Sequence, residues 1–245
     1  MSLIIIVIAG GIIGILINYF SDVLPVSRSF TKPICKGCTR PYSTKDYLVS
    51  YRCSQCGSRI STRSSIVLIS TIVVCLLLNS FPFSILGFWA TLPILISLGV
   101  ILVIDIEHHA VLIETSMFGF VLFFFFGIIL KGFQRTITGA LAGFLIMLTL
   151  YFIGIAFSKI VGALRHREIG EVVFGFGDVC IGVNLGLLTG WPLILGAITI
   201  AILVFEVFAL ILFIALILSR KYNAFSSALP FTPFLILGAI AIFYL

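Results

Sequence analysis

The chain has 245 residues, of which 61% are hydrophobic and 10% charged, and its formal net charge is +6. A water-soluble domain of this length needs a far larger charged surface, so the composition excludes an ordinary soluble globule and points to lipid as the solvent. The positive excess is concentrated in one stretch, Arg28 to Arg63, which holds eight Lys or Arg against the single acid Asp46; membrane orientation accounts for this bias better than a nucleic-acid partner does.

Eight hydrophobic segments are predicted in chain order. The first spans about 3–21, LIIIVIAGGIIGILINYF, and lacks both a positively charged start and a clear small-residue cleavage site, so it reads as a retained helix rather than a cleaved leader. A polar insert follows over 25–63. The second segment is 65–81, and a break at Pro82 to Gly87 leads to the third, 86–104. The polar link Asp105 to Ala110 precedes the fourth, 111–130, and the loop Lys131 to Arg135 precedes the fifth, 136–157. Ser158 to Glu171 links to the sixth, 173–190; Gly190-Trp191-Pro192 breaks the chain before the seventh, 193–218. Arg220 to Ser227 links to the eighth, 229–245. Uncharged blocks such as Thr136–Ser158 and Val179–Phe205 reach the roughly 20 residues a helix needs to cross the hydrocarbon core. Runs such as FVLFFFFGIIL do not alternate in polarity as barrel strands do. The expected fold is therefore an all-α polytopic membrane protein of about eight transmembrane helices. Its parts are a first helix in 1–24, an insert in 25–63, and a seven-helix membrane domain in 64–245.

Charge tests this count. With the N-terminus outside and segments alternating, thirteen basic residues fall inside: the eight of the insert with Lys159, Arg165, Arg167, Arg220 and Lys221. Only the two residues Lys131 and Arg135 fall outside. That bias supports an even number of crossings and places the insert on the cytoplasmic side. Gly139 with Gly143, and Gly182, Gly186 and Gly190, recur at four-residue spacing, the pattern by which small residues let membrane helices approach closely. Asn18, inside the first helix, reads as interhelical glue.

The insert contains CKGCTRPYSTKDYLVSYRCSQC, in which Cys35 and Cys38 form one CxxC and Cys53 and Cys56 another, fourteen residues further on. Four thiolates so spaced close a tetrahedral zinc shell; two disulfides are the alternative, disfavoured in a reducing compartment. With every position filled by protein, the ion is structural, and it supplies the folding free energy that so short a segment cannot draw from a core. Cys75 and Cys180 lie in apolar segments and read as small buried hydrophobes.

Two acids interrupt the apolar blocks at segment ends, Asp105 in ILVIDIEHH and Asp178 in VVFGFGDVC. In the alternating topology both fall at cytoplasmic ends, so they meet at one depth despite the 73 residues between them. A carboxylate near hydrocarbon is costly and is a functional hypothesis by default. Two sharing a pocket resist double ionisation, and such a pair activates water for peptide hydrolysis. The competing reading is an acid at a helix end facing interfacial water. Gly175 and Gly177 permit unusual backbone geometry and close approach of a peptide beside Asp178. Glu107 and Glu114 tune this pocket or lie at its wet edge. His108 and His109 are surface or substrate contacts, and Glu206 is an acid deep in the seventh segment with no assigned role.

In this order the motifs resemble the prepilin peptidases, the type IV leader peptidases of the GxGD aspartic membrane proteases. The resemblance covers nearly the whole chain: Gly14, Asn18, Leu24 and Pro25 early on, the two CxxC pairs, ISTR at 60–63, DIEHHAVLIE for the first catalytic block, FGFGDVC for the second, and LPFTPFLILG at the end. It implies that Asp105 and Asp178 are the catalytic pair and that the substrates are type IV prepilins or pseudopilins, cut after a glycine that closes a short basic leader. It further implies residence in a bacterial inner membrane. In bifunctional members the new N-terminal amine is then methylated with S-adenosylmethionine, and the resemblance implies that second activity and that methyl donor here, the family's requirement for the cysteine insert being met. The chain departs from the pattern at Cys180, in place of lysine, at Ile113 and Glu114, in place of proline and aspartate, and at Ser64, Ser65 and Leu68, where many members carry Tyr-Pro and a glutamate. A peptidase without methyl transfer is one alternative. A membrane transporter or assembly scaffold, in which the acids carry protons or bind cations, is another; it explains hydropathy and cysteines but not both acidic blocks in order.

Overall fold

The computed structural model describes residues 3–29, 31–35, 37–43, 46–47, 52–58, 62–82, 86–165, 175–218 and 229–244. Among them are eight helices: α1 (Leu3–Ser27), α2 (Thr62–Ser80), α3 (Phe88–His108), α4 (Ile113–Lys131), α5 (Phe133–Arg165), α6 (Phe176–Thr189), α7 (Leu193–Leu218) and α8 (Thr232–Tyr244). Six are long and apolar enough to cross a membrane. The other two, α6 and α8, have 14 and 13 residues, a rise of about 20 Å against a hydrocarbon core of about 30 Å. The chain is thus an all-α, multi-pass membrane protein. Apolar side chains on the outer faces of α5 and α7, among them Phe152, Ile153, Leu203, Val207 and Ile211, are exposed, as expected where lipid rather than water is the neighbour.

The helices differ from the segments read in the sequence mainly at their ends. The polar link at Asp105 to Ala110 begins later than expected, because α3 continues through His108 and stops where His109 turns to φ 47°. Helix α5 likewise absorbs Ser158 to Arg165, since Lys, Ala, Leu and Arg are good helix formers. Helix α1 runs to Ser27 with Pro25 inside its last turns, beyond the boundary expected at 24. Phe174, Glu171, Arg167, Ile60, Ser61 and the link Arg220 to Ser227 lie outside the described residues.

The chain divides into two compact units, Met1–Val103 and Ile104–Leu245. In the first, α1 and α2 pack through glycines. A Cβ on Gly10 would stand 2.8 Å from the Ile72 Cα, and one on Gly14 would stand 2.5 Å from the Thr71 hydroxyl. Asn18 is the glue its position suggested, its amide donating to the Ser64 carbonyl at 2.9 Å. The four-cysteine insert hangs between these helices, held by Asp22, whose two oxygens accept from Arg63 (2.5 Å) and from the Tyr47 hydroxyl (2.7 Å).

In the second unit α6 is the central element, buried along most of its length. Its Gly182, Gly186 and Gly190 meet Gly139 and Gly143 of α5 backbone to backbone, which is the close packing the four-residue spacing anticipated. Gly127 of α4 lies against the Leu187 carbonyl, and Asn184 donates to the Ser116 carbonyl at 3.1 Å. Phe205 of α7 stacks edge-on against Phe231 and Phe234 at the start of α8, fixing where α8 begins.

Candidate functional site

In the first unit, each CxxC pair is built the same way. The Cys35 N–H donates to the Arg40 carbonyl and the Thr39 N–H to the Cys35 carbonyl, at 2.8 and 2.9 Å; the Cys53 N–H donates to the Ser58 carbonyl and the Gly57 N–H to the Cys53 carbonyl, at 2.9 and 2.8 Å. The residue after each second cysteine is left-handed, Thr39 at φ 57° and Gly57 at φ 70°. These turns aim four sulfurs inward, so that all four Sγ atoms lie within 4.8 Å of one another. Cys35 to Cys56 is 3.6 Å and Cys38 to Cys53 is 3.7 Å. Those separations are far beyond an S–S bond of about 2.05 Å and close to the roughly 3.8 Å edge of a tetrahedron with metal–sulfur bonds of about 2.3 Å. The cluster can therefore chelate one metal ion. The Tyr42 hydroxyl, with the N–H groups of Gly37 and Cys38, holds the Cys35 thiol down at about 6, against the opposing effect of burial. At Cys56 the Ser58 N–H acts in the same sense, but desolvation and the neighbouring Cys35, Cys53 and Cys38 outweigh it and leave that thiol at about 11. A cleft of about 250 Å³ beside the cluster is bordered by Lys32, Tyr42, Asp46 and Gln55.

In the second unit, Asp105 occupies the last turn of α3 and Asp178 the first turn of α6. Both are buried, at 5% and 9% exposure. They line one cavity of about 180 Å³ with His109, Ala110, Val111, Gly175, Gly177 and the segment Leu229–Phe231, and the two carboxyls are close enough for their charges to interact. The Asp178 side chain folds back so that its Oδ2 accepts from the Gly175 N–H at 3.1 Å, the reciprocal bond of a helix N-terminus. Its Oδ1 accepts from the hydroxyl of Thr232, at 3.2 Å. Asp105 Oδ2 is buried with no hydrogen-bond partner among the described residues, and His109 lines the same cavity.

The structure thus brings Asp105, Asp178, Gly175 and Gly177 together and leaves Glu114 out. That residue lies exposed in the first turn of α4 and takes no part in lining the cavity. The glycines serve differently from the expectation of unusual backbone geometry. Gly175 is extended, at φ −80° and ψ 156°, and neither glycine has a positive φ. Gly177 is required by space, since a Cβ there would stand 2.7 Å from the Val111 Cβ; Gly175 has room for one. His109 joins the cavity, whereas His108 lies beside Glu107. Glu206 is exposed on α7, and Cys75 is fully buried as expected. Thr232 escaped sequence reasoning because a single hydroxyl in an apolar segment carries no spacing signal. No family model matches the chain, and neither a curated protein nor a solved structure matches it.

Proposed function

We propose that the protein is an aspartic membrane peptidase of the prepilin peptidase type, which removes short basic leaders from type IV prepilins or pseudopilins. The observation that carries this reading is the shared cavity of Asp105 and Asp178, two buried carboxyls from helix ends far apart in the chain. One takes a proton from water as the oxygen attacks the scissile carbonyl carbon, and the other gives its proton to the carbonyl oxygen. The tetrahedral diol then returns a hydroxyl proton to the second acid as the first protonates the nitrogen and the carbon–nitrogen bond breaks, so the pair ends with the single proton it started with. At about 30 Å³ per water, the cavity of about 180 Å³ has room for the attacking water and one extended peptide unit. The substrate's apolar helix lies in lipid beside the enzyme.

The cluster of Cys35, Cys38, Cys53 and Cys56 holds zinc in this reading, as a structural ion that orders the insert; four thiolates are a preferred zinc donor set. The thirteen-to-two distribution of basic residues supports an N-terminus outside and both insert and aspartates on the cytoplasmic side, and the family resemblance implies a bacterial inner membrane. Methylation of the new N-terminus with S-adenosylmethionine as donor belongs to the same reading on the family resemblance alone, and no step is routed through the donor. The test is a mass measurement on a purified prepilin incubated with the detergent-solubilised protein. Loss of the leader with the wild type, and none with Asp105→Asn or Asp178→Asn, is expected; cleavage by either variant refutes the proposal. Adding S-adenosylmethionine to the same mixture shows whether a methyl group is added to the product.

A further inference from the structure

We infer that Thr232 is the positioning residue of the aspartate pair: its hydroxyl donates to Asp178 and, with the Gly175 N–H, holds that carboxyl as the ionised member, leaving the shared proton on Asp105. The inference deepens the peptidase reading and rests on it for its catalytic consequence. Thr232 is fully buried, at 0% exposure, and is the first residue of α8. Its hydroxyl has one hydrogen and two lone pairs. The hydrogen goes to Asp178 Oδ1 at 3.2 Å.

The remaining contacts point the same way. Asp178 receives a second donor, the Gly175 N–H on Oδ2 at 3.1 Å, and stands at the N-terminus of α6, where negative charge is favoured. Asp105 lies at the C-terminal end of α3, and its Oδ2 is buried without a donor. An unpaired oxygen costs less on a neutral acid than on a carboxylate. Asp178 is therefore the base that takes the water proton, and Asp105 the acid that protonates the carbonyl oxygen. Thr232 gains and loses no atom; it holds the Asp178 carboxylate in place. Its own position is secured by Pro233 in the first turn of α8 and by Phe231 and Phe234 packed on Phe205.

The experiment compares wild type, Thr232→Val, Thr232→Ala, Thr232→Ser and the two Asp→Asn variants, each as the full chain in detergent with a purified prepilin. Losing a hydrogen bond to a charged group predicts a fall in kcat of about tenfold to a hundredfold for Thr232→Val, with KM little changed. Thr232→Ser, which keeps the donor, restores most of the rate. Infrared spectra of the same samples report the protonated carboxyl directly: its C=O band is lost in Asp105→Asn and shifts in Thr232→Val but not in Thr232→Ser. Undiminished kcat in Thr232→Val, equal loss in the serine variant, or a band that disappears with Asp178→Asn instead overturns the inference while leaving the peptidase reading intact. If the wild type does not cleave prepilin, the peptidase reading fails, and the infrared band alone decides on the role of Thr232: unmoved in Thr232→Val, it overturns the inference. Should the valine variant not fold, the smaller alanine variant carries both readouts.

Discussion

Replacing Gly177 by alanine isolates the packing that aims Asp178. The new Cβ would stand 2.7 Å from the Val111 Cβ and 2.8 Å from its Cγ2, about 1 Å inside the optimal carbon–carbon separation of roughly 3.8 Å. Val111 precedes α4 and borders the cavity, so the start of α6 must retreat by a comparable distance, carrying Asp178 with it. Overpacking of this kind costs about 1–3 kcal/mol of stability, and a displacement of about 1 Å at a reacting group costs about a hundredfold in rate. Gly175→Ala is the contrast, because its Cβ would meet nothing closer than the Gly177 nitrogen at 3.8 Å. Thermal unfolding in detergent and prepilin cleavage are measured together. Gly177→Ala is expected to lose both stability and rate, Gly175→Ala to keep its melting temperature, and Gly177→Ala with Val111→Gly to recover part of both. If Gly177→Ala melts and cleaves like the wild type, Val111 does not constrain the start of α6 and the reasoning fails.

Other outcomes follow from the insert. Metal analysis should find one ion per chain, lost in Cys35→Ser and Cys56→Ser. Before a metal binds, Cys35 titrates at about 6 and Cys56 at about 11, so uptake at pH 7 releases at least the Cys56 proton, measurable with an indicator dye. The lowered Cys35 thiol contributes stability that is complete above its ordinary value of 9.0 and is lost as pH falls through about 6; metal affinity should drop steeply over the same range. Thr39 is left-handed at φ 57°, which costs a non-glycine residue about 1 kcal/mol, so Thr39→Gly should tighten metal binding in a chelator competition and Gly57→Ala should weaken it. Asp22→Ala removes the acceptor shared by Arg63 and Tyr47. A loss of about 2 kcal/mol should appear as faster proteolysis of the insert, while cutting as slow as in the wild type would show that Asp22 does not hold it.

Sequence alone determined what is set by solvent and by near neighbours. Uncharged runs can meet the backbone's hydrogen bonds in lipid only as helices, and so the eight elements were readable to within a few residues except at the C-terminal ends of α1, α3 and α5, which run past their apolar cores. The two CxxC turns were equally readable, because each is closed by bonds spanning four or five residues. What tertiary structure decided is who shares the cavity. Asp105 and Asp178 meet there, Thr232 reaches Asp178 across 54 residues, Gly177 yields space to Val111, and Glu114 lies exposed on α4. Such choices rest on helix packing, which in a membrane is driven by van der Waals fit and small residues rather than by apolar burial from water, and that fit has no periodic mark in the chain.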